Sequence, residues 1–291
     1  MKNFWSPCIV LLCALAFPIA AAEVTVSGDA CNFGFDAEGA LQQGKPRFGA
    51  GISLSDRISD RLDATIAVGR DPVIGNLVSA RAAYRTSILE ISAGPSFGVL
   101  NSGSGTKDVP ILFQPGLGIG FKVVVPGYLI AKADTDFALP PASRMEGQVY
   151  LQRSELSAGF YLPNVLCTVK VSQRNNTQEL ESGSRLHSLS DYGFYTVAFK
   201  KGSPFRISID FIYRILDFKT DEAGTDNAKI GNLLLGTGVT WSPNSNLSVF
   251  AKANSALYSF SLGGETDDLD RFMYEVSLGV KFVTKDLKGA K

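Results

Sequence analysis

The 291-residue chain has one histidine, His187, and four cysteines. Histidine-dependent catalysis would have to run through His187, with Ser188, Ser190 and Asp191 beside it and Asp267 and Asp268 in another polar segment. A lone histidine among small polar residues reads more simply as a solvated loop residue, so no enzyme is expected. Beyond the N-terminal segment only Cys31 and Cys167 remain, and neither has the C-x-x-C or Cys/His spacing of a metal site. No cofactor is expected. Whether these two cysteines pair in an oxidising compartment stays open, because sequence separation says nothing of proximity. An excess of charge is missing too: 28 Lys plus Arg balance 28 Asp plus Glu. That leaves no global footprint for nucleic acid. After residue 22 no stretch approaches the about 20 consecutive apolar residues of a membrane helix, and helical periodicity is nearly absent. A membrane location would therefore require a closed barrel, since lipid cannot hydrogen-bond open strand edges.

The N-terminus carries the one long apolar segment. Lys2 supplies a positive start, Phe4 to Phe17 is largely apolar, and Ala20-Ala21-Ala22 offers small residues for cleavage before Glu23. Pro7 and Pro18 interrupt the segment, and it is short for a span. Leu12 before Cys13 departs from the lipoprotein pattern, in which a small residue precedes the modified cysteine. The expected division is a signal peptide over 1–22 and a single unit over 23–291, with no further domain boundary.

What fills that unit is period-2 alternation. In Phe205-Arg206-Ile207-Ser208-Ile209-Asp210-Phe211-Ile212-Tyr213-Arg214-Ile215 every odd position is large and apolar. Phe272, Tyr274, Val276, Leu278, Val280 and Phe282 alternate in the same way with Met273, Glu275, Ser277, Gly279 and Lys281. Strands are expected at 24–35, 46–55, 61–70, 76–86, 88–99, 109–124, 127–135, 145–153, 155–171, 191–200, 204–218, 230–241, 246–260 and 271–283. A bulge at Pro163-Asn164 would restore register where the apolar face shifts from Leu156, Ala158, Phe160 and Leu162 to Val165, Cys167, Val169 and Val171. Connections after even-numbered strands are short, including one at 153–154. Most of those after odd-numbered strands are long, including 172–190 and 261–270; 71–75 is short.

Alternation also fits a soluble sandwich, whose apolar face points inward. Two features favour lipid instead. Many runs reach the about 9–11 residues that cross a bilayer when tilted. A ring of about fourteen strands is also too wide for inward apolar side chains to fill, because diameter grows with strand number. Tyr84, Tyr128, Phe205, Trp241 and Phe282 stand near the short-turn rim, where an aromatic girdle belongs. The fold expected is all-β: a transmembrane antiparallel up-and-down barrel of about 14 strands, with 12 or 8 as alternatives.

With its signal segment, alternating strands, turn/loop asymmetry and a last strand Tyr274–Phe282 ending in an aromatic, the chain resembles bacterial outer-membrane β-barrel proteins. The resemblance covers the mature chain and rests on architecture. Strand number and length resemble the small monomeric porins. The OmpW-like family, a narrow eight-stranded barrel carrying hydrophobic compounds, is a second resemblance. The first implies a passive diffusion pore for small hydrophilic solutes in the outer membrane. It also implies contact with outer-membrane lipid, a final strand read by the barrel-assembly machinery, and long loops open to host or surface ligands. A structural or adhesive barrel is the further alternative. Val283–Lys291 follows the last aromatic, a departure from the family pattern.

No catalytic or metal constellation competes. Gly116-Leu117-Gly118-Ile119-Gly120 is not the dinucleotide fingerprint and no helix follows it. It reads as a strand whose inner face has no side chains, leaving room for an inward loop or relieving crowding at a bend. Asp221, Glu222, Asp226, Asp267, Asp268 and Asp270 make two loops acidic without EF-hand spacing. The candidate functional residues are charges whose parity points inward, because rings of charge set pore selectivity. Arg81, Arg85, Lys122, Arg206, Asp210, Arg214, Lys252 and Glu275 lead this set. The basic members continue with Arg47, Lys132, Lys170 and Lys281, and the acidic ones with Asp29, Asp63, Glu90, Asp134 and Glu146. The basic excess implies a weak preference for anions, while opposite charges could instead cross-brace a plugged lumen.

Overall fold

A computed structural model describes residues 23–35, 41–73, 75–99, 113–139, 149–180, 183–221, 227–262 and 273–284. The segment 1–22, read above as a signal peptide, lies outside the described residues, as do Asp267, Asp268, Asp270 and Glu146. In chain order the strands are β1 Glu23–Phe35, β2 Leu41–Ser59, β3 Leu62–Asp71, β4 Gly75–Arg85, β5 Leu89–Val99, β6 Phe113–Val125 and β7 Leu129–Ala138. They continue as β8 Val149–Leu162, β9 Val165–Leu180, β10 Gly183–Phe199, β11 Phe205–Thr220, β12 Ala228–Trp241, β13 Leu247–Ser261 and β14 Tyr274–Val283. Each strand pairs antiparallel with its sequence neighbours, and β1 pairs with β14 to close the barrel. Along that seam Glu23 is opposite Val283 and Cys31 opposite Glu275. Fourteen strands set aside the alternatives of twelve and eight, and with the latter the narrow OmpW-like barrel.

Alternation puts successive side chains on opposite faces of the wall. On β11, Ile207 is 57% exposed and Phe211 58%, whereas Asp210 is 2% and Arg214 3% exposed. The apolar residues are thus outside and the charged ones inside. Phe48, Ile91, Phe121, Leu156, Val169, Leu257 and Leu278 are likewise large, apolar and exposed. Such a belt is stable against hydrocarbon, which needs no polar partner, while the closed ladder satisfies the backbone.

The ninth strand departs from the sequence reading. Pro163-Asn164 is the turn between β8 and β9, with Leu162 paired to Val165 and Asn164 at φ 64°. Proline followed by a positive-φ asparagine is the residue order of a type II turn. A two-residue turn sets residues i and i+3 on the same face, which is why the apolar parity shifts from even to odd there. No bulge is involved, and 153–154 lies within β8. The segment 172–190 is not a loop either. Strands β9 and β10 continue through it, from Ser172 opposite Asp191 to Leu180 opposite Gly183. The total of fourteen survives because one strand boundary moved and none was lost.

Both chain ends of the barrel and the tight connections β2–β3, β4–β5, β6–β7, β8–β9, β10–β11 and β12–β13 share one rim. On the inner face toward the other rim, Cys31, Phe33, Leu189, Leu216, Phe218, Ile230 and Met273 form one buried apolar cluster, drawn from β1, β10–β12 and the residue before β14.

Candidate functional site in the lumen

The strand registers place Arg81 and Arg85 on β4, Lys122 on β6, Arg206, Asp210 and Arg214 on β11, Lys252 on β13 and Glu275 on β14 on the inner face. They do not form one cluster. Their arrangement changes along the axis.

Toward the turn rim the charges are partly exposed and paired with neighbours along the wall. Arg85 reaches Asp63 at 2.5 Å and Glu90 at 3.2 Å, Arg57 reaches Asp63 at 3.4 Å, and Lys281 reaches Glu23 at 2.6 Å. Arg206 is exposed on this side. Exposed pairs of this kind contribute little to stability, about 0–1 kcal/mol each. Their consequence is a polar, wet entrance.

At mid-height the glycine strip of β6 finds its role. The Arg81 guanidinium lies across it to reach Asp134 on β7 at 2.8 Å and Asp136 at 2.5 Å. A Cβ at Gly118 would stand 2.5 Å from Arg81 Nε, and one at Gly120 would stand 2.8 Å from the Asp134 carboxylate. The room read from the sequence is taken by an arginine, not by an inward loop. The same arginine stands where the β4–β5 register breaks off between Ser79–Ser96 and Ala82–Ala93, a gap that contains Pro95, which has no N–H to donate. On the neighbouring wall Glu155 takes Lys170 at 2.8 Å and Lys132 at 3.2 Å. Lys252 binds Asp210 at 2.8 Å, and the ammonium groups of Lys170 and Lys252 lie 5.5 and 4.9 Å from the Tyr195 ring centroid.

Farther toward the loop rim the ion pairs cross the lumen. Arg174 on β9 donates to Asp71 on β3 at 2.7 Å, and its other arm lies 4.0 Å from Glu275. Arg214 donates to both oxygens of Asp191, at 2.7 and 2.9 Å, and to Glu275 at 2.9 Å. Asn254 donates to the same Glu275 oxygen at 3.3 Å. Five side chains, Asp71–Arg174–Glu275–Arg214–Asp191, thus form a continuous ionic chain. The bidentate geometry at Arg214 fixes direction as well as charge. The apolar cluster lies directly on its loop side, and the Arg214 guanidinium sits 5.2 Å over the Phe33 ring.

Some functional residues escaped the sequence reading. Arg153 falls in an expected turn and Arg174 and Asp136 in expected loops, while Asp191 and Glu155 fall in expected strands but outside the set of inward charges. The signal that would have found them is the Pro163-Asn164 parity switch, read as a turn. His187, expected in a solvated loop, is in β10 and stacks on Phe218 with ring centroids 5.3 Å apart. Ser188 and Ser190 lie on the opposite face of the strand from it, and Asp191 is held by Arg214. Cys31 is inside and Cys167 is on the outer face of β9, and both are free. Among the described residues no three His, Cys, Asp or Glu side chains converge as metal ligands. Among the lumen-facing charges, Lys122, Arg153, Arg206 and Asp29 form no ion pair with any described residue.

No family model and no curated relative matches the chain. Solved structures do. The CymD monoaromatic hydrocarbon channel matches at TM-score 0.52 with 9% identity, over 91% of this chain and 89% of that one. A bacterial polysaccharide outer membrane secretin matches at 0.49 with 12% identity, over 92% and 100%. An OmpT loop L8 deletion mutant from Vibrio cholerae matches at 0.45 with 10% identity, over 89% and 97%. At these identities what is shared is the fold. With its closed ring and exposed apolar belt, the chain has the architecture of a bacterial outer-membrane β-barrel.

Proposed function

We propose that the protein is a narrow, non-enzymatic outer-membrane channel for passive diffusion of small hydrophilic solutes, with 1–22 removed as a signal peptide and 23–291 forming the barrel. The observation that carries this reading is the division of the lumen. Its turn-side half is wet and lined by exposed charges such as Arg85 and Lys281, each at 43% side-chain exposure. Among the described residues its narrowing is made by side chains held by hydrogen bonds between opposite walls. Arg81, Arg85, Lys122, Arg206, Asp210, Arg214, Lys252 and Glu275 are proposed to line the path or its constriction. Lipid contacts the outer belt, and the last strand, ending Lys281-Phe282-Val283, is the segment offered to the assembly machinery. Single-channel recording of the refolded protein tests the reading. Small, steady unitary conductance is expected. A silent bilayer for both the natural protein and the R174Q/D71N variant would assign the barrel a structural role instead.

A further inference from the structure

One cavity in the lumen has a charge pattern that the ion-pair network leaves unmatched. It has a volume of about 240 Å³ and lies against the inner face of β1–β4, where Ser27, Gly51, Gly69 and Ser79 keep the wall thin and polar. Three carboxylates and one guanidinium face it from the lumen, Asp29, Asp71, Asp136 and Arg153, while Arg70, which also borders it, has the outward parity of Ile66 and Val68 on β3. Two of the carboxylates are occupied, Asp71 by Arg174 and Asp136 by Arg81. Asp29 and Arg153 have no ion-pair partner among the described residues. They come from strands far apart in the ring, β1 and β8, yet line the same space.

We infer that this cavity is a binding station for small zwitterions, the amino acids and short peptides whose ammonium and carboxylate groups match Asp29 and Arg153 at once. The inference rests on the channel reading and names its solute class. The volume falls below the about 300–1,000 Å³ of sites for drug-sized ligands, so it suits a solute of metabolite size. A guanidinium takes a carboxylate through two parallel N–H donors, whereas an ammonium suits a single carboxylate as a compact charge. The serine hydroxyls of the wall donate or accept and so tolerate either end. Occupied carboxylates on both flanks mean that an extra cation finds only Asp29, and an extra anion only Arg153. A solute with one charge therefore satisfies one of the two groups and leaves the other to water, which is how a site discriminates without steric exclusion.

Swelling of liposomes containing the refolded full barrel tests this with four solutes of nearly one size: alanine, lactate, alaninamide and lactamide, carrying both charges, the anion, the cation and neither. Alanine is expected to enter faster than lactamide by about threefold to fivefold, the range for one partly hydrated ion pair. That ratio should fall toward one in both Asp29→Asn and Arg153→Gln, with folding confirmed by circular dichroism. The Asp29 variant should keep more of its preference for lactate, and the Arg153 variant more of its preference for alaninamide. Swelling in all four solutes with no advantage for alanine would overturn the inference and leave the channel standing. An advantage retained in both variants would also overturn it. Swelling in none of the four would overturn the channel reading and the inference together.

Discussion

Arg174 and Asp71 meet at 2.7 Å from strands on opposite sides of the ring. One hydrogen-bonded pair thereby spans a lumen that fourteen strands would otherwise leave wide. Breaking a pair of this kind strands a charge, because the remaining partner stays among groups already committed elsewhere. Arg174→Gln is therefore expected to lower stability by about 1–3 kcal/mol and to raise unitary conductance. Adding Asp71→Asn removes the stranded carboxylate, so the double variant should regain part of the stability and keep the larger conductance. Urea unfolding in lipid vesicles and single-channel recording give the two numbers. Unchanged conductance in both variants would place the narrowest point elsewhere.

The glycine strip makes a sharper demand. A side chain at Gly118 displaces the Arg81 guanidinium from Asp136. Gly118→Val is expected to cost about 1–3 kcal/mol through overpacking and the lost charged hydrogen bonds. In an Arg81→Ala background the same substitution should cost markedly less, since the group it collides with is gone. A double-mutant cycle measures the coupling; an additive result would mean the strip serves the backbone rather than Arg81.

Adjacent residues on β11 should respond to different solvents. Ile209 faces lipid, so Ile209→Arg is expected to cost about 2–4 kcal/mol near the midplane. Asp210, one residue on, is 2% exposed and holds Lys252. Asp210→Asn keeps the shape but removes the charge, and a smaller loss of about 1 kcal/mol is expected. Equal losses in a vesicle folding assay would refute the assignment of the two faces.

Selectivity should follow the charges that no partner neutralises. Lys122, Arg153 and Arg206 outnumber Asp29, so a weak anion preference is expected, fading at high salt as the Debye length shrinks. Arg214 is a poor target for testing it, because Asp191 and Glu275 already neutralise its charge. Lys122→Gln with Arg206→Gln should move the reversal potential under a salt gradient toward cations. Cation preference in the unmutated channel would contradict the charge assignment.

Orientation can be read by labelling in a background lacking Cys31 and Cys167. A cysteine at Ser184, at the tip of the β9–β10 hairpin, should react with an impermeant reagent on intact cells, and one at Ser203, in a tight turn, should not. The reverse pattern would invert the barrel in the membrane.

The wall was legible in the sequence because a lipid-facing strand keeps an apolar residue at every second position, and β11 does so at every odd position from Phe205 to Ile215. The strand number followed from the same constraint. Residues 172–190 were opaque for a physical reason: β9 and β10 run on here with Gln173, Asn175 and Ser190 on the face that elsewhere carries apolar side chains, so the apolar signal stops while the pairing does not. The lumen network was legible only as a list of inward charges. Which arginine takes which carboxylate depends on the third dimension: Arg81 passes over two strands to Asp134, and Arg174 crosses the whole interior to Asp71. No period along the chain encodes either distance.

The seam between β1 and β14 gives the assembly an order. The first strand to be made has one of its two neighbours only when the last has been made, so a chain ending before Tyr274 would carry two unsatisfied edges into hydrocarbon. Such an edge costs several kcal/mol for each unpaired group, and no partial ring escapes it. Closure thus acts as a completeness check written into the hydrogen bonding: the membrane accepts the whole chain or none of it.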